Sequence, residues 1–166
     1  IVNCSGVGPT NGELGRAQFE WSDGLSCLLG CPILGGIVVG GDTSITVVNR
    51  ARLPAYTVRS SNPAVFTFAT DPQNRVDVHA LAEGTAALEL VATSDGSLVD
   101  RITLSARPPA RIDPTFDDDQ TPVPASNLAL DSSRLPIFFR YADGAGNSLR
   151  GTNAFTASAS CQVTVA

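Results

Sequence analysis

Lysine and methionine are absent from this 166-residue chain, and histidine and tryptophan occur once each, as His79 and Trp21. With no lysine, eleven arginines are the only strong cations, set against sixteen Asp and Glu. The net charge of −5, with Arg50, Arg52, Arg59, Arg75 and Arg101 scattered along the chain, excludes nucleic acid and anionic membranes as partners, since both select clustered cations. Long apolar runs are also missing. The longest, Cys31–Val39, is broken by Pro32, Gly35 and Gly36, whereas a membrane-spanning helix needs about 20 apolar residues. No segment keeps a helical period over three turns, so long helices are excluded. What is present is an apolar content of 43%, which rules out a disordered chain and suffices for a sizeable core.

Arginine without lysine is the codon signature of a GC-rich bacterial genome, and the lack of an initiating Met marks a mature or trimmed product. The four cysteines, Cys4, Cys27, Cys31 and Cys161, permit three pairings. Their even number in a β-rich chain favours disulfides and a secreted or cell-surface location. The expected pairs are Cys27–Cys31, a local staple, and Cys4–Cys161, which joins the ends for up to about 5 kcal/mol. The alternative for Cys27-Leu-Leu-Gly-Cys31 is a metal or redox site. His79 lies far off in sequence, and the spacing is one residue longer than that of a redox Cys-x-x-Cys. Leu28-Leu29-Gly30-Cys31 superficially matches a lipoprotein cleavage box, but Glu20 and Asp23 stand where a basic segment and an apolar run belong.

Strand periodicity organises the chain. In Arg16–Trp21, Ala17, Phe19 and Trp21 share one face, the mark of a half-buried strand with Trp21 as a core plug. From Ile37 the pattern predicts strands at Ile37–Val39, Ser44–Asn49, Ala55–Ser60, Val65–Thr70, Arg75–Ala82, Thr85–Thr93 and Leu98–Ala106. Gly, Pro, Asn and Asp punctuate them. The last two strands flank Ser94-Asp95-Gly96-Ser97, the strongest hairpin signal present. Asp100 falls on the same face as Leu98, Ile102 and Leu104, which reads as an edge or a strand end. Seven short strands at this spacing predict an all-β, antiparallel sandwich.

Ser60-Ser61-Asn62-Pro63-Ala64-Val65, followed by Ala80–Glu83 with Gly84-Thr85-Ala86 and then Asp95-Gly96, resembles the bacterial Ig-like domain family of the group 2 type, over roughly residues 37–107. The resemblance implies an Ig-like sandwich of exported surface proteins, a spacer or adhesive module without family-wide catalytic residues. The domain plan is then a 1–26 arm with one strand, a 27–107 sandwich, a 108–126 Pro/Asp-rich linker, and a 127–166 second β unit of incomplete size. In that last unit Phe155, Ala157, Ala159, Cys161, Val163 and Val165 alternate with polar residues. With Phe19 and Trp21 of the arm they form the expected interface, either within the chain or toward a neighbouring subunit, because an open sheet edge templates pairing.

Asp113, Asp117, Asp118 and Asp119 are the one dense acidic group and the candidate calcium ligands, although they lack the spacing and glycine of a calcium loop. No other cofactor is expected. His79 points with Arg75 and Asp77 toward solvent, opposite Val76, Val78 and Ala80. No serine occupies a nucleophile elbow and no carboxylates are paired in sequence, so the expectation is not an enzyme. The expected partners are neighbouring Ig-like domains or copies of the chain itself. A filament subunit joined by strand addition, and a calcium- or carbohydrate-binding module, are the alternatives.

Overall fold

A computed structural model describes residues 8–22, 33, 35–71, 75–115 and 138–154. They form twelve strands and one 3-10 turn (Arg50–Arg52): β1 Thr10–Asn11, β2 Gln18–Trp21, β3 Gly36–Val38, β4 Asp42–Val47, β5 Tyr56–Ser60, β6 Phe66–Thr70, β7 Arg75–Ala80, β8 Gly84–Ala92, β9 Leu98–Arg107, β10 Arg111–Thr115, β11 Phe138–Ala142 and β12 Ser148–Arg150. They make two sheets, one ordered β1-β2-β4-β7-β6 and the other β10-β11-β12-β3-β9-β8-β5. The protein is an all-β sandwich. Between β3 and β9, the second, fifth and fourth strands lie on one sheet and the third, sixth, seventh and first on the other.

The two sheets meet through alternating side chains. Phe19, Ile45, Val47, Phe66, Val76 and Val78 face Ile37, Leu88, Leu90, Ile102 and Leu104 in one core. The β8–β9 hairpin closes at Asp95-Gly96: Gly96 takes φ +72°, and the Asp95 Oδ1 accepts the Ser97 N–H at 3.0 Å. The larger sheet is mixed, not purely antiparallel, because β3 pairs parallel with both β9 and β12. Parallel pairing with β12 draws the C-terminal strands into the main sheet. So β11 and β12, expected in an incomplete second unit, continue the seven-stranded sheet, and Arg111–Thr115, expected in the linker, are its edge strand β10.

Asp100 is the third residue of β9, at the end of the strand that pairs with β8 and that β3 does not reach. A register shift between Leu90 and Val91 lets both Val99 and Asp100 point inward, and Asp100 is fully buried. Its carboxylate accepts backbone N–H groups from Leu14 (2.8 Å), Arg16 (2.7 Å), Ala17 (2.6 Å) and Arg101 (2.8 Å). Burial alone would raise its pKa; the four N–H donors outweigh that and hold it below the usual carboxylate range. The N-terminal arm is thereby tied to the start of β9. Glu13 adds an outer tie, accepting from Thr103 Oγ1 and Arg101 Nε at 2.6 Å each.

The seam between the core sandwich and the C-terminal strands is built on glycine. The Gly41 N–H donates to the Val38 carbonyl at 2.9 Å with Gly40 at φ +81°, as a type II turn requires. A Cβ on Gly41 would stand 2.6 Å from Val38 Cγ1 and 2.9 Å from the Val38 carbonyl oxygen, a backbone atom that cannot move aside. Gly41→Ala is therefore expected to cost about 2 kcal/mol, read as a lower midpoint in urea with an unchanged m-value.

Candidate functional site

The outer face of the five-stranded sheet carries the site. Val76 and Val78 face the core, so the alternate β7 residues Asp77 and His79 face outward. Register places Asp42 of β4 and Thr67 of β6 on either side of His79, and Ser44 and Ala69 on either side of Asp77. These residues, with Thr43, Phe68, Val78 and Thr152, line an open cleft of about 510 Å³.

The Asp42–His79 pair fixes the cleft's geometry. His79 Nδ1 and Asp42 Oδ1 are 2.6 Å apart, with both side chains rather more than two-fifths exposed. At that exposure the pair adds little stability, and its role is to orient. With the carboxylate accepting the Nδ1 proton, Nε2 is the nitrogen left to meet a ligand. The other Asp42 oxygen accepts from Asn153 Nδ2 at 3.2 Å. Asn153 is delivered by two backbone bonds of 2.8 Å between Asp42 and Thr152, and it sits at φ +61°, a conformation asparagine tolerates better than most residues. None of the described hydrogen bonds joins His79 to a serine hydroxyl. The arrangement suits holding a polar ligand.

The expected site residues are placed elsewhere. Phe19 and Trp21 are 0% and 3% exposed in the core between the sheets, because β2 pairs with β4 and turns both rings inward. A C-terminal strand meets the arm where the Arg150 guanidinium lies 5.2 Å from the Trp21 ring centre. Asp113 of the acidic group is ion-paired to Arg111 at 2.8 Å, and no three His, Cys, Asp or Glu among the described residues converge on a metal position. Asp117, Asp118, Asp119, the four cysteines, and Phe155, Ala157, Ala159, Val163 and Val165 lie outside the described residues. The alternation of Arg75–Ala80 pointed to the outward face of His79 and Asp77. It gave no sign of Asp42, which reads as part of a glycine turn, or of Asn153, 111 positions further on.

No helix of the described residues is long and apolar enough to cross a membrane. Compared with protein-family models, characterised proteins and solved structures, the chain has no significant match.

Proposed function

We propose that this chain is a non-catalytic, exported Ig-like module that serves a bacterial surface protein as spacer and adhesive element, adjoining similar domains or copies of itself. The observation that carries the reading is the use made of its buried acids. A general acid or base works best with a pKa near the ambient pH. Asp100 is driven the other way, locked as an anion by backbone N–H groups of the arm. Asp143, in the turn between β11 and β12, is also lowered, by the Asn147 side chain, backbone N–H donors and Arg107. Glu89, also buried, takes Arg59 of the neighbouring strand at 2.7 Å. Such groups fasten loops and strands, as a load-carrying or presenting scaffold requires.

Protease treatment of intact cells of the source organism tests this. Peptides from the chain are expected in the released fraction while cytosolic markers stay protected; recovery of the chain only with the cytosol overturns the reading. A filament subunit is the second reading, favoured by the edge strand β10, where Ile112 is 43% exposed beside Phe139 of β11 at 45%. Pro114 on the same edge opposes strand addition. Sedimentation at high concentration separates the two: polymers abolished by Ile112→Lys favour the filament, and a single monomer boundary removes it.

A further inference from the structure

We infer that the cleft across β4, β7 and β6 binds a neutral polyhydroxylated ligand, one saccharide ring at the tip of a glycan. Outside the cleft, Asp100, Asp143, Glu89, Asp71 and Asp113 are engaged with backbone N–H groups or arginine. Here four polar groups share one concave face with no side-chain hydrogen bond to any described residue: Ser44 Oγ, Thr67 Oγ1, the Asp77 carboxylate and His79 Nε2. Strand spacing and the two-residue repeat set Ser44, Asp77 and His79 at corners of a rectangle about 5 by 7 Å, with Thr67 one strand beyond, the scale of a single sugar ring. The cleft volume is that of a small-molecule site.

The chemistry selects the class. Asp77 and Asp42 repel anions, as does the net charge of −5. A divalent cation needs several converging oxygen ligands, and no such group exists among the described residues. A simple organic cation would use the Asp77 and Asp42 carboxylates and leave the two hydroxyls without a role. Sugar hydroxyls both donate and accept. They can donate to the Asp77 carboxylate and to Nε2 and exchange bonds with Ser44 and Thr67, while the Asn153–Asp42–His79 chain keeps the imidazole fixed before binding, which limits the entropy lost on association. Asp42 and Asn153 are thus positioning residues, acting through His79.

The inference rests on the adhesive reading only for its biological use. A surface-exposed chain that binds no sugar defeats the inference alone, and a cytosolic chain that binds sugar defeats the reading alone. The test is a titration of the full ¹⁵N-labelled chain with methyl glucoside, galactoside, mannoside and N-acetylglucosaminide, and with putrescine as the cationic probe. At least one glycoside is expected to give saturable amide shifts concentrated at residues 42–44, 67–69 and 77–79, with a millimolar Kd. Asp77→Asn is expected to weaken it about tenfold and Thr67→Val severalfold, both being outward substitutions that leave the core intact, whereas Glu13→Gln in the β1–β2 loop, outside the cleft lining, changes nothing. Saturation by no glycoside, shifts that neither cleft variant weakens, or a response to putrescine alone would each overturn the inference.

Discussion

Asp100→Ala is expected to lower unfolding stability by about 3–5 kcal/mol at neutral pH, measured by urea titration. The loss far exceeds that of an ordinary surface carboxylate because the substitution removes the acceptor of the Leu14, Arg16 and Ala17 N–H groups, of which the Ala17 bond is buried and the other two part-buried. Gly12 packs so closely on the carboxylate that any side chain there would collide with it, so nothing nearby can replace the lost acceptor. Asp100→Asn keeps the shape but offers one acceptor oxygen and turns an amide N–H₂ toward donors. It should fall between wild type and Asp100→Ala. A change below about 1 kcal/mol for the alanine variant would show that the arm is held by other means.

The same carboxylate sets part of the acid stability. Its folded pKa lies below the ordinary aspartate value of 3.8, so between those two points the unfolded chain binds more protons than the folded one. Stability from this group is therefore complete above the unfolded value and falls as pH drops toward the folded one. Glu13 and Asp143 are lowered as well and act in the same direction over the same acid range. Asp100→Asn should flatten the acid limb of stability against pH without abolishing it.

The strands were legible in the sequence where the physics is local. The β8–β9 hairpin needs only alternation and Asp95-Gly96, and its observed limits, Gly84–Ala92 and Leu98–Arg107, match the expected ones to within a residue. The inward set of Ala17, Phe19 and Trp21 was equally readable. Long-range pairing was not. Asp100 looked like a polar intruder on an apolar face because its partners lie 83 to 86 residues away. The cleft is hidden for the same reason, being assembled from residues near 42, 67, 79 and 153. Arg111–Thr115 reads as linker because Pro114 and the acids beyond it signal a turn; proline is tolerated there because β10 is an edge among the described strands. Glu89 reads as solvent-facing, yet Arg59 covers it from β5.

Phe19→Ala is expected to cost about 3–5 kcal/mol, the range for emptying a buried aromatic site. Phe19 lies on β2 opposite Val47 and is fully buried in the main core, so the arm is part of the sandwich and not an appendage to it. The informative measurement is the double variant. Ala17, which donates to Asp100, is two residues from Phe19, so the clasp and the ring hold the same short segment. If Asp100→Ala lets residues 12–21 leave the frame while the rest stays folded, Phe19 has already lost its environment. Phe19→Ala/Asp100→Ala should then lie within about 1 kcal/mol of the worse single variant, a coupling far outside the additivity of independent sites. The m-value of Asp100→Ala should fall too, because a native state with the arm undocked exposes less new surface on unfolding. Full additivity with a wild-type m-value would mean that strand and clasp are held separately, and that the carboxylate fastens only the 12–17 loop.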